Sequence, residues 1–147
     1  MTAMKPRTKA RSLALTILYE CDLTEHLPGE VFQERLNDEE IPDNLVQFAQ
    51  EIITGVYPLR KQLDEFIAER APEWPMDQVA VIDRNILRIS LWEFAICECT
   101  PVKVAINEAI EMAKQFGSDN SPRFVNGVLG SLADHQNEIR QRFLHKK

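Results

Sequence analysis

The chain has 147 residues, 44 % hydrophobic and 27 % charged, which is enough apolar matter for one packed domain and too much for a disordered chain. Its formal net charge of −6 by itself disfavours a polyanionic partner. No run of about 18 apolar residues occurs, so no membrane span is expected, and Leu13 to Tyr19 is cut off by Glu20 and Asp22 before it can make a signal peptide.

The first predicted element begins in a basic arm. Lys5, Arg7, Lys9 and Arg11 fall within residues 1–11, which hold no acid, so the remaining chain carries −10 against the total of −6. A basic arm on an acidic body suggests a local polyanion contact, with a solvated terminus as the alternative. Pro6 suits a helix start, where its missing N–H is not needed. Leu13, Ala14, Ile17, Leu18 and Cys21 then make the stripe of an amphipathic helix from Lys9 to Leu23. Arg7 and Arg11 share a face.

Pro28–Gly29 separates this helix from a short one over Glu30 to Leu36, closed by Asn37–Asp38. Pro42–Asp43–Asn44 is a cap for a third, carrying Leu45, Val46, Phe48, Ala49, Ile52 and Ile53. The pattern resumes at Leu59, Leu63, Phe66 and Ile67. Gly55 and Pro58 lie between, giving either one kinked helix or two helices meeting there. Pro72–Glu73–Trp74–Pro75 breaks the chain and divides it into halves, about 1–72 and 76–147.

A turn from Asp77 to Ala80 leads to a helix with Ile82, Ile86, Leu87, Ile89, Leu91, Phe94 and Ala95. It is apolar around much of its circumference, which predicts a central position. Thr100–Pro101 ends it. Val104, Ala105, Ala109, Ile110 and Ala113 form the next, with Gly117 as its expected C′ residue. Ser121 is the expected N-cap of the last helix and Pro122 its first residue. That helix runs from about Pro122 to Phe143, and close packing is the favoured reason for Gly127 inside it. No segment alternates with period two, so the fold class is all-α, about seven helices in two packed helical halves of a single domain (1–147).

Cys21, Cys97 and Cys99 make an odd count, and Cys97–Glu98–Cys99 has no second pair to complete a zinc site. Reduced thiols of a cytosolic protein are the expectation. His26, His135 and His145 are scattered, and neither metal nor cofactor is expected. No phosphate-binding glycine loop, nucleophile elbow or metalloprotease helix is present, which argues against an enzyme.

Two stretches are more specific. One is Arg88-Ile-Ser-Leu-Trp92-Glu93 followed by Pro101-Val-Lys103-Val-Ala-Ile106-Asn107-Glu108-Ala-Ile-Glu111-Met-Ala-Lys114-Gln-Phe116-Gly117. The other is Ser121-Pro-Arg123-Phe124-Val125-Asn126-Gly127-Val-Leu129. Read from residues alone, Asn107 and Glu111 share a helix face that either packs on a neighbour or meets a partner. Arg123, Phe124 and Asn126 lie near a helix N-terminus, where an arginine, an aromatic ring and an amide suit single-stranded RNA, although Phe124 also fits a core.

Together these stretches, with Lys9-Ala-Arg11 and Leu18-Tyr19, resemble the NusB family of transcription antitermination proteins. The resemblance covers nearly the whole chain, most closely 82–130. It implies a non-enzymatic cytoplasmic factor that binds boxA leader RNA of ribosomal RNA operons together with ribosomal protein NusE, and through them reaches the RNA polymerase elongation complex. It implies an RNA surface of Lys5, Arg7, Lys9, Arg11, Tyr19, Asn120, Arg123, Phe124 and Asn126, with Tyr19 open between base contact and core. It implies a partner surface of Asp83, Arg84 and Arg88, and allows a homodimer. The chain departs from the pattern at Thr8 in the arm, Asn120 for an acid, Gly130 for an Asp and Trp92 for a Tyr. A helical protein-interaction module without an RNA role is the alternative; an RNA-modifying enzyme fusion ranks last, because no methyltransferase domain fits in this length.

Overall fold

The computed structural model describes residues 5–73 and 75–144, so Trp74 and His145 lie outside the described residues. Pro6 stands at the first position of α1 (Pro6–Leu23), which buries Ala10, Ala14, Leu15, Ile17, Leu18 and Cys21 on one side. The second helix starts earlier than the sequence suggests. Pro28 takes its first position, giving α2 (Pro28–Asp38). α3 (Asp43–Val56) and α4 (Arg60–Arg70) are joined by a 3-10 turn, Tyr57–Leu59, around Pro58. The two segments are thus one bent rod, and the proline that cannot donate a backbone hydrogen bond sits at the bend.

Gly55 is not the bend. It lies inside α3, where a Cβ would meet the Trp92 indole at 2.3 Å. Its lack of a side chain lets that ring lie against the helix. Gly55→Ala is expected to cost about 1–3 kcal/mol by overpacking, read as a lower urea midpoint. An unchanged midpoint would show that the indole yields freely.

Past a 3-10 turn, Met76–Gln78, the chain enters α5 (Val81–Leu91), which continues into a π-helical segment, Trp92–Cys97. From Asn85 to Ala95 every residue is buried, and α5 touches α1, α3, α4, α6 and α7. This is the central rod that its apolar circumference predicted. The wider π turn buries Trp92, Glu93, Phe94 and Ala95 in succession.

Glu98 follows in the left-handed region, φ 59, and folds the chain back so that the Cα atoms of Cys97 and Cys99 lie 5.2 Å apart, joined by a disulfide. The expectation of three reduced thiols therefore holds only for Cys21, which is free and buried. Sequence spacing gave no sign of the positive φ that brings the other two together.

α6 (Val102–Phe116) and α7 (Ser121–Leu132) pack on each other and on α5. A 3-10 turn, Ala133–His135, separates α7 from α8 (Gln136–Leu144), so the long final helix is a bent pair. Among the described residues there are eight α-helices, fused into six rods around one hydrophobic core that runs from Ala10 to Phe143.

Gly127 is exposed on α7. A Cβ on Gly130 would meet nothing within 4 Å among the described residues. Gly130→Ala is expected to stabilise the protein by up to about 1 kcal/mol, since the helix gains propensity at no steric cost. A thermal melt that fails to rise would count against this.

Candidate nucleic-acid and partner interface

Helix α1 presents its cations in different directions. Lys5, Arg7 and Lys9 are exposed. Lys5 borders a groove against α6 with Thr8, Val104, Asn107 and Lys114. Arg7 lies over the Phe48 ring of α3, 4.6 Å from its centroid. Lys9 borders a separate groove with Glu39, Glu40 and Ile41. Phe48 holds Arg7 by a cation–π contact and leaves its charge open to a ligand.

Arg11 is different, and the expectation of a fourth free cation is corrected. Its side chain is 3 % exposed and that of Glu93 is 1 %. Arg11 Nε donates to both carboxylate oxygens of Glu93 and Nη2 donates to Oε1 at 2.8 Å. Nη1 lies 3.3 Å from Glu108. Thr8 Oγ1 donates to the same Glu108, at 2.8 Å. Arg11 thus fastens α1 to α5 and α6, and a buried cation of this kind is not available to a phosphate. On α6 it is Glu108 that packs against α1, while Asn107 and Glu111 remain exposed and Glu111 accepts from Lys114 of its own helix.

The loop before α7 is built around Ser121. Its hydroxyl does not cap its own helix, as the sequence suggested. It donates to Asp83 Oδ2 at 3.0 Å and accepts the Ser118 backbone N–H at 2.9 Å. Gly117 caps α6 in an extended conformation rather than a left-handed one, and a Cβ there would sit 2.4 Å from Ser121 Oγ. The glycine is needed for close approach, not for backbone freedom.

This arrangement places Asn120 and Phe124 on the wall of a cavity of about 350 Å³, together with Glu73, Gln78, Val79 and Asp83. Asp83 is 7 % exposed, and its Oδ1 has no hydrogen-bond partner among the described residues. Burial pushes the Asp83 carboxyl above the usual carboxylate range, against a smaller opposing pull from the Ser121 hydroxyl. Arg123 and Asn126 are exposed on α7, and Phe124 is half-buried against the core. Tyr19 is 37 % exposed on α1, which places its ring at the surface and not in the core.

Of the three expected partner residues, only one is plainly engaged with accessible space. Asp83 lines the cavity, while Arg84 is half-buried and donates to the Val79 carbonyl at 3.1 Å. Arg88 is corrected: its side chain is 5 % exposed and bound to Asp22 and Asp64, so it is a structural cation without a free donor face. Asp22, Asp64, Glu93 and Glu108 carry the ion pairs that the sequence reading missed. Their ion-pair and hydrogen-bond partners are 24 to 100 residues away in the chain, beyond the reach of any helical spacing rule.

Two sets of accessible groups result, Lys5, Arg7 and Lys9 around the first turns of α1 and Asn120, Arg123 and Phe124 at the start of α7. They do not meet in one cavity. They are anchored through Glu93 and Asp83, ten residues apart on the central rod. On an ideal α-helix that spacing is roughly 15 Å along the axis. No cluster of histidine, cysteine and carboxylate suited to a metal occurs among the described residues, and no helix there is long and apolar enough to cross a membrane.

The model of the NusB family matches residues 8–134. A Roseiflexus sp. (strain RS-1) protein named transcription antitermination protein NusB is 45 % identical over 137 residues, covering 92 % of this chain and 96 % of its own. A Bacillus pumilus protein of the same name is 39 % identical, covering 95 % and 100 %. Among solved structures, Thermotoga maritima NusB superposes with a TM-score of 0.80 at 29 % identity, over 90 % of this chain and 93 % of that one. NusB in a complex of the antitermination factors NusB and NusE with dsRNA shares the fold, with a TM-score of 0.80 at 23 % identity, over 90 % of this chain and 99 % of that chain. Matched along nearly its full length in sequence and in helix arrangement, this chain belongs to the NusB family of transcription antitermination proteins.

Proposed function

We propose that the protein is a cytoplasmic adaptor without covalent chemistry, which binds boxA-type single-stranded RNA together with NusE and so supports processive transcription. The supporting observation is the exposure of Lys5, Arg7 and Lys9 on the first turns of α1 and the accessibility of Asn120, Arg123 and Phe124 at the start of α7, with α1 and the loop before α7 both tied to the central rod. A single strand lying across both has its phosphates met by the arm and a base met by the Phe124 ring. Exposed Asn126 and Tyr19 are further candidates for contact with the strand. Arg11 contributes by holding α1 in place.

The Asp83 cavity serves the protein partner. Glu73 and Asp83 line it with no cation among the described lining residues, which suits a basic side chain from a ribosomal protein. RNA and partner then hold the adaptor near polymerase by raising its effective concentration there. This cavity also favours a second reading, a protein-interaction module that has no RNA role.

Titration of labelled boxA-type RNA, with and without NusE at several salt concentrations, separates the two readings. Replacing Lys5, Arg7 and Lys9 together by alanine is expected to flatten the log–log salt slope by about 2. Phe124→Ala is expected to lose about 1–3 kcal/mol of RNA binding, with NusE binding retained. Wild-type protein that binds NusE but shows no preference for boxA RNA over a scrambled strand would support the second reading.

A further inference from the structure

The exposed end of the central rod carries a feature that the adaptor reading does not use. Cys97 and Cys99 are both exposed, whereas Cys21 is buried at 5 %. They flank Glu98, whose φ of 59 turns the chain and places their Cα atoms 5.2 Å apart, within the ordinary range for a disulfide. A bridge between residues two apart closes so short a loop that it removes little entropy from the unfolded chain. It is therefore a poor staple. Its exposure opens it to an attacking thiolate, the condition for exchange.

The bridge also borders the buried ion pair. Cys99 Sγ lies 3.9 Å from the Glu93 backbone carbonyl oxygen. The next residue, Thr100, donates from Oγ1 to Glu93 Oε1 at 2.8 Å, on the carboxylate that holds Arg11. As a thiol, Cys99 can donate to that carbonyl; in a disulfide it has no hydrogen to give.

We propose that Cys97 and Cys99 form a reversible dithiol–disulfide site whose substrate class is low-molecular-weight disulfides such as oxidised glutathione, and whose state is felt at Glu93. On oxidation a thiolate of the pair attacks the glutathione disulfide, releasing one glutathione thiol. The second cysteine displaces the other. One sulfur–sulfur bond forms in the protein and one breaks in the oxidant. Two electrons pass to glutathione, and the two cysteine protons end on its thiols or in water. This site stands independently of RNA binding.

The full chain is equilibrated with graded ratios of reduced and oxidised glutathione, quenched in acid, unfolded, alkylated with maleimide and weighed. With three cysteines in the chain, three adducts are expected under reducing conditions and one, mapped to Cys21, under oxidising conditions, with the other two sites lost together. Cys99→Ser is expected to stop at a glutathione adduct on Cys97. Three adducts at every ratio, or a wild-type protein that stops at the same mixed adduct, would overturn the site. Backbone hydrogen exchange around Glu93 is expected to be faster in the oxidised form, where the thiol's hydrogen bond to the Glu93 carbonyl is lost. Identical exchange in the two forms would sink the link to Glu93.

Discussion

Glu93→Ala is expected to cost about 3–5 kcal/mol of stability, because it strands a buried cation. The Arg11 and Glu93 side chains are 3 % and 1 % exposed, and Glu93 takes three of the guanidinium hydrogen bonds. Without it, Arg11 keeps Glu108 at 3.3 Å and the Phe48 ring at 5.3 Å. Neither replaces a two-oxygen acceptor. Thr100 Oγ1 also loses its acceptor. In urea the midpoint should fall by more than about 1 M for an m-value typical of this size. The paired replacement of Arg11 by Met and Glu93 by Leu should recover most of the loss, because an apolar pair of similar volume needs no compensation. If the single variant costs under about 1 kcal/mol, or the double variant is no more stable than the single one, a stranded Arg11 is not what the loss reports and the pair does not fasten the helix. The prediction also bears on RNA binding. Arg11 variants should weaken it only by loosening the first turns of α1, so their loss should lack the reduced salt slope expected for Lys5, Arg7 and Lys9.

Apolar periodicity and proline placement were enough to read the helices, because each is a local property. Pro6 and Pro28 both occupy first helical positions, and the apolar circumference of α5 gave away its central place. Gly55, Gly117 and Ser121 were seen as punctuation, yet their roles depend on residues elsewhere in space. Gly55 makes room for Trp92, Gly117 makes room for Ser121, and Ser121 serves Asp83. The candidate site divides in the same way. Charge on a basic arm is visible in sequence, but which cation is buried is decided by carboxylates in other helices. Arg7 and Arg11 share a face by spacing, yet only Arg11 extends far enough along α1 to meet Glu93 and Glu108. Arg88, a partner contact by family resemblance, becomes a structural cation once Asp22 and Asp64 are placed beside it.

Arg88→Met should cost about 3 kcal/mol or more and should flatten the acid limb of the stability curve. Arg88 joins three helices. Nε and Nη2 reach the two oxygens of Asp64 on α4, at 2.8 and 2.6 Å, and Nη1 reaches Asp22 Oδ2 on α1 at 2.6 Å. Asn85 and Arg60 complete the shell of Asp22. Burial alone would raise the Asp22 pKa, but Arg88, with Asn85 and Arg60, holds it below the ordinary carboxylate value. A depressed native pKa stabilises the fold above the unfolded value of about 4 and is lost as pH falls through the lower native one. Asp83 acts with the opposite sign. Its native pKa is raised, so its ionisation costs stability as pH climbs from the unfolded value through the native one. Acidifying from neutrality should first relieve Asp83 and then, below about pH 4, strip Asp22. In Arg88→Met the first change should persist and the second should shrink, since the main charge holding Asp22 ionised is gone. Urea unfolding from pH 2 to 7 reads both limbs. Equal slopes below pH 4 in the two proteins would mean that Asp22 draws its low pKa from Arg60 and Asn85, and that Arg88 joins the three helices by packing alone.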